Sequence, residues 1–133
     1  MTLGPVFGNW DGHTMARILL AEDDDNLRRF LTRGLARAGH TVLSAPDGDA
    51  AFALILKSPV DLLLADVVMP GLDGIELARR ATIRWPELRV MFITGFAAVA
   101  LRNREIGNQP AAVLAKPFHL RQLVEEVTRI LAA

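Results

Sequence analysis

Four positions in this chain place chemically capable side chains directly after short apolar runs. Glu22-Asp23-Asp24-Asp25 follows Ile18-Leu19-Leu20-Ala21, Asp66 follows Leu62-Leu63-Leu64-Ala65, Thr94 follows Val90-Met91-Phe92-Ile93, and Lys116 follows Ala111-Ala112-Val113-Leu114-Ala115. If folding gathers these ends, carboxylates from two segments meet. Two unit charges 4 Å apart repel by about 4 kcal/mol at an effective dielectric near 20, so a cation must relieve them. All-oxygen ligation favours a hard ion, and a partly hydrated Mg²⁺ suits a cleft that must also admit a phosphoryl group. Asp66 is then available as a carboxylate nucleophile forming an acyl phosphate, with the metal and Lys116 neutralising the transferring group. The Thr94 hydroxyl can donate to a phosphate oxygen. Each residue also has a plainer explanation. Asp24 or Asp25 can cap a helix, Asp66 can sit in a turn, Thr94 can close a strand, and Lys116 can be a solvated lysine before proline.

The elements that would position these groups follow from periodicity. Arg17–Ala21 reads as a short apolar strand. The following helix carries Leu27, Phe30, Leu31, Leu35 and Ala38 on one face, with Gly39 as a left-handed stop. Thr41–Ala45 is a second strand, and Pro46-Asp47-Gly48 turns the chain into a small helix marked by Ala51, Leu54 and Ile55, ended by Ser58-Pro59. Residues 62–65 lack polar alternation, as in a central parallel strand covered on both faces. Met69-Pro70-Gly71 supplies turn residues, and Asp73 to Glu76 reads as a capping box opening a helix over 74–85. Residues 89–93 form a fourth strand, 96–101 fall where a surface helix is expected, 102–110 form a polar loop, and 111–115 a fifth strand. The last helix carries Leu120, Leu123, Val124, Val127, Ile130 and Leu131 at three-and-four spacing.

Five strands alternating with five helices predict an α/β doubly wound parallel sheet with right-handed crossovers. In such sheets ligands bind beyond the carboxyl ends of the strands, where all four polar ends fall. Residues 1–15 are expected to be a flexible leader, with Met15 a possible natural start, and residues 16–133 to form one domain without an output domain.

Glu22-Asp23, Asp66, Thr94 and Lys116-Pro117, in this order on this strand pattern, resemble the receiver domain of bacterial two-component response regulators. The resemblance covers residues 16–131. It implies the flavodoxin/CheY-like (βα)5 fold with strand order 2-1-3-4-5, and Asp66 as phosphoacceptor. It further implies that Glu22, Asp23, Asp66 and the backbone carbonyl of Val68 hold Mg²⁺, that Thr94 and Lys116 read the phosphoryl group, and that the bond before Pro117 is cis. Residues 16–31, 90–101 and 116–121 are more narrowly similar to stand-alone receivers of bacterial cell-cycle control. Receivers of that group prime the ClpXP protease for selected substrates when unphosphorylated. Phosphate from a histidine phosphotransferase fed by a hybrid histidine kinase turns that activity off.

Two positions depart from the family pattern. Receivers commonly place an aromatic three residues before the lysine, whereas this chain has Val113, so a switch must move through Thr94, the loop after it and residues 96–101. Val68, two residues after Asp66, stands where a polar side chain often positions water, which argues against rapid self-dephosphorylation. The charge-free segment with Phe96, Ala97, Val99 and Leu101 is expected, with the last helix, to contact ClpX or its cargo; the competing reading packs it inward. Leu131-Ala132-Ala133 resembles the tail that ClpX recognises on tagged translation products, or is simply a frayed helix end.

Other function classes fit less well. A hydrolase of the haloacid dehalogenase type needs a second aspartate two residues after the nucleophile, where Val68 stands. A dinucleotide-binding module needs a glycine-rich first turn, and the acidic cluster there repels pyrophosphate. A receiver fold acting as a phosphate-independent adaptor remains an alternative. Fifteen basic and fifteen acidic side chains cancel, so no global field recommends nucleic acid or an anionic membrane. There is no cysteine for disulfides or thiolate metal sites. No apolar run approaches the ~18 residues of a membrane span. The expectation is a cytoplasmic monomer or weak dimer that is not an enzyme in the turnover sense.

Overall fold

The computed structural model describes residues 16–95, 105–106, 109–110 and 112–132. The chain alternates β1 (Arg17–Ala21), α1 (Asp25–Arg37), β2 (Thr41–Ala45), α2 (Gly48–Lys57), β3 (Leu62–Asp66), α3 (Gly74–Arg84) and β4 (Arg89–Thr94). After β5 (Glu105–Ile106) and β6 (Gln109–Pro110) it ends with β7 (Ala112–Ala115) and α4 (Leu120–Ala132). The main sheet is parallel, in the order β2-β1-β3-β4-β7. This is the expected order, with β7 as the fifth strand.

All five residues of β3 are buried, because successive side chains leave the central strand on opposite faces and both faces are covered. Leu63 and Ala65 join Leu19, Phe92, Ala51, Ile55, Leu77 and Ala81 under α2 and α3. Leu62 and Leu64 join Ile18, Leu20, Leu31, Leu35, Leu123 and Val127 under α1 and α4. Fully burying one such aliphatic side chain is worth about 1.5–3 kcal/mol, so these two layers hold the strands in register.

Three of the helices start at the carboxyl edge of the sheet behind an aspartate cap. Asp24, Asp47 and Asp73 accept from the backbone N–H of Leu27, Ala50 and Glu76 at 3.0, 2.7 and 2.8 Å. The capping box at α3 is only half present: the Glu76 carboxylate pairs with Arg79 and Arg80. Gly39, at φ 103°, follows α1 as a left-handed stop.

Several expectations need correction. Phe30 is 55% exposed: Leu31, Gly34 and Leu35 form the buried stripe of α1, and a neighbour of Leu31 is turned about 100° away from it. Ala38 is likewise exposed. The stretch read as a polar loop contains the antiparallel pair β5–β6, with Ile106 buried against the α2–α3 layer. Among the described residues there are four helices; residues 96–101, and with them Phe96, Ala97, Val99 and Leu101, lie outside the described residues, as do residues 1–15.

Candidate metal centre at the carboxyl edge of the sheet

The strand order reverses between β1 and β3, since the chain steps outward to β2 and returns across β1. Strand ends at such a switch point open a crevice. Ala21 pairs with Ala65 across these two strands, which carries Glu22 and Asp66, the next residue of each chain segment, to the same rim. Glu22 is fully buried, Asp66 is 7% exposed and Asp23 is exposed. One carboxylate oxygen from each of Glu22, Asp23 and Asp66 lies within 4.8 Å of the others.

Strand β7 brings the cation. Thr94 pairs with Ala115, and the Lys116 backbone N–H donates to the Thr94 carbonyl at 2.7 Å. The Lys116 ammonium then reaches back to Asp66 Oδ2 at 2.9 Å and Glu22 Oε1 at 3.0 Å. The Lys116-Pro117 peptide is cis. Thr94 is fully buried at the end of β4, in register one step beyond the Asp66–Ile93 pair.

The carboxylates are oriented by backbone donors as well. Asp66 Oδ1 accepts from the Val68 N–H at 3.1 Å, and Glu22 Oε2 from the Asp24 N–H at 3.0 Å. Burial pushes the Glu22 carboxyl above its usual range; the Asp24 N–H and the Lys116 ammonium pull against that, while the charge of Asp66 adds to it. Burial alone lowers the Lys116 ammonium, but its hydrogen bonds and charge contacts with Asp66 and Glu22 outweigh this and raise it. Lys116 is therefore a fixed positive charge at neutral pH.

The set of donors is hard, oxygen-only and open to solvent on the Asp23 side. It fits a divalent cation that keeps part of its water shell and does not fit a soft metal. Val68 is 55% exposed, so its side chain offers the rim only an aliphatic surface. Val113 pairs with Phe92 in the sheet and is half-buried against the α2–α3 layer.

Sequence reasoning overlooked Arg28. Its guanidinium donates to the Glu22 carbonyl at 2.8 Å and to Asp25 at 2.7 Å, tying the first turn of α1 to the acidic segment. The signal was an arginine three residues after the last acid, on the helix that the acids open. The same reasoning read Gly48 and Gly74 only as turn and helix-start residues, whereas their importance lies in close backbone approaches to Leu72 and Asp66.

The response regulator receiver domain family matches residues 18–128. The chain is 54% identical over 119 residues to the response regulator receiver protein CpdR of Brucella abortus, covering 90% of this chain and 99% of that protein. Among solved structures, the receiver domain of the hybrid histidine kinase CckA is 34% identical, with a TM-score of 0.73 over 86% of this chain and 98% of that one. The chemotaxis protein CheY4 of Vibrio cholerae, at 24% identity, shares the fold with a TM-score of 0.79, over 88% of this chain and 99% of that one. The chain belongs to the response regulator receiver domain family.

Proposed function

We propose that this receiver accepts a phosphoryl group on Asp66 from a phosphohistidine donor, and that phosphorylation switches off its activity as an adaptor for the ClpXP protease. The observation that carries the first half is the convergence of Lys116 Nζ on Asp66 Oδ2 and Glu22 Oε1, at 2.9 and 3.0 Å, beside Asp23. The likeness to CpdR over nearly the whole of both chains supports the second half. The likeness to the receiver of a hybrid histidine kinase supports a donor of the kind such kinases use, a kinase or a histidine phosphotransferase.

Receiver domains generally bind Mg²⁺ at an acidic site, and here Glu22, Asp23, Asp66 and the Val68 carbonyl would hold it. When bound, the ion supplies positive charge to the oxygens of the phosphoryl group in transfer. The chain's own groups do the rest. An Asp66 oxygen forms the new O–P bond as the N–P bond of the donor imidazole breaks, and that electron pair stays on the imidazole nitrogen. Lys116 leaves its place between two carboxylates to pair with a phosphoryl oxygen. Thr94 donates its hydroxyl to another, which draws the end of β4 toward the site.

Phosphorylation adds about 1.5 to 2 negative charges in contact with Thr94 and Lys116, enough to bias the segment after β4 between two arrangements. The adaptor surface in this reading comprises residues 96–101 together with α4, and binds ClpX or its cargo in the unphosphorylated state, in the cytoplasm. With Val113 in place of an aromatic, the change passes through Thr94 and the segment that follows it.

The test has two stages. Incubation with acetyl phosphate and Mg²⁺ should add the mass of one phosphoryl group to the wild type and none to Asp66→Asn; equal labelling of both removes Asp66 from its role. ClpX should then retain the unphosphorylated protein and not the phosphorylated one, and equal retention of the two forms would sink the switch.

A further inference from the structure

The loop between Asp66 and α3 is closed at both ends by backbone approaches that leave no room for a Cβ. One on Gly74 would overlap the carbonyl oxygen of Asp66, and one on Gly48 would overlap the carbonyl oxygen of Leu72. Gly74 belongs to the loop's own turn, where its N–H donates to the Val67 carbonyl at 3.0 Å. Gly48 does not. It is the first residue of α2, in the preceding strand–helix unit.

We propose that Gly48 is a positioning residue for the metal centre, and that the turn between β2 and α2 is the stop against which the 67–73 loop closes. Three further contacts carry this. The Ala45 carbonyl, at the start of the same turn, accepts from the Glu22 N–H at 3.1 Å, so residues 45–48 touch the backbone of both acidic segments. The first turn of α2 is held firmly, by the Asp47 cap on Ala50 and by the buried anchors Ala51 and Ile55. The Val68 N–H donates to Asp66 Oδ1, so displacing the loop rotates the carboxylate and moves the Val68 carbonyl together. Gly71, at φ 71°, adds a second approach: a Cβ there would overlap Asp49 Oδ2 on α2.

A methyl group on Gly48 cannot be accommodated by turning a side chain, because what it meets is backbone. Either α2 or the loop must shift. The loop is the more yielding of the two, since α2 is a hydrogen-bonded helix anchored by Ala51 and Ile55 whereas the loop buries only Met69 in that core, and the loss falls on metal geometry. A site built from one ion and a few oxygens tolerates little such misplacement.

The inference rests on the metal-site reading above, and the two can fail separately. Titration calorimetry with Mg²⁺ should show binding to the wild type, loss in Asp66→Asn, and about tenfold weaker binding in Gly48→Ala. Phosphorylation of Gly48→Ala by acetyl phosphate should recover at saturating Mg²⁺. Ile55→Ala, which weakens the same helix two turns along from Gly48, should lower the melting temperature and leave the Mg²⁺ dissociation constant unchanged. In the wild type, the backbone amide resonances of Gly48 and Asp49 should move with Mg²⁺ at the same midpoint as those of Val68 and Leu72, a readout that stands even if Gly48→Ala fails to fold. No Mg²⁺ binding by the wild type overturns the metal site and the stop with it. Normal binding by Gly48→Ala, equal weakening in Ile55→Ala, or Gly48 and Asp49 resonances that ignore Mg²⁺ overturns the stop alone.

Discussion

Lys116 Nζ lies 2.9 Å from Asp66 Oδ2, joining the end of β7 to the end of β3 across the strand between them. The same ammonium holds Glu22 at 3.0 Å. It is thus the internal counterion of an acidic cluster whose carboxylates would otherwise face one another without relief.

Removing that counterion should make the fold depend on an external one. Lys116→Met should lower stability in metal-free buffer by about 2 kcal/mol, the scale of a hydrogen bond to a charged group. Mg²⁺ should then restore more stability to the variant than it adds to the wild type, since the ion replaces the missing charge. Urea unfolding with and without Mg²⁺ measures both. A variant as stable as the wild type without metal would mean that the ammonium does not carry this burden.

Magnesium affinity should fall on acidification, and Glu22 sets where. Its carboxyl is raised above 4.5, chiefly by burial, so the folded protein binds this proton more tightly than the unfolded chain does. The stability that protonated Glu22 contributes is therefore fully present below pH 4.5 and is lost as pH rises through the raised value. A metal ion needs the ionised form and competes with that proton. Calorimetry in buffers of different ionisation enthalpy should show proton release on Mg²⁺ binding as pH approaches the raised value from above, and Glu22→Gln should abolish it. Absence of proton release in the wild type would count against Glu22 as a ligand.

Much of this site was legible in the chain because its residues stand directly after apolar strands. A parallel sheet sends every such end to one rim, so Glu22, Asp66, Thr94 and Lys116 could be placed together without knowing any angle. Less legible was what depends on contact rather than sequence position. Phe30 sits next to Leu31 and shares its chemistry, yet only the rotation of α1 decides which is buried. Residues 105–110 are polar enough to read as loop, and the short Glu105–Pro110 pairing is tied to the fold by Ile106, whose burial against the α2–α3 layer is a tertiary event. Gly48 reads as an ordinary helix start until Leu72 is seen against it.

At the opposite edge of the sheet, His40 should make stability fall on the acid side of neutrality. Its Nδ1 accepts from the Ala16 N–H at 3.2 Å, which requires the neutral ring. Burial lowers its pKa below 6.5, with the charge of Asp61 opposing. The unfolded chain then takes up the proton first, so stability is complete above pH 6.5 and declines below it until the folded form is protonated too. His40→Asn keeps an acceptor and cannot titrate. Thermal melts between about pH 5 and pH 8 should show a shallower acid-side decline for the variant, and identical profiles would exclude His40 as the source.

The lifetime of the acyl phosphate should depend on Val68. If Asp66 is phosphorylated as proposed, hydrolysis requires a water aligned opposite the Asp66 oxygen that leaves, and the exposed side chain two residues further on is the nearest in sequence that could be given a polar group to hold it. Val68 is 55% exposed and its side chain can neither donate to that water nor accept from it. Its backbone N–H is already committed to Asp66 Oδ1 at 3.1 Å. Val68→Asn supplies an amide at the same backbone position without altering that hydrogen bond. One well-placed hydrogen bond to the attacking water is worth roughly 1.4 kcal/mol, so hydrolysis should quicken by about tenfold. Intact mass followed over time after removal of the phosphodonor gives both rates. An unchanged rate in Val68→Asn, with uptake of phosphate intact, would show that hydrolysis is not limited by the absence of a polar group at this position.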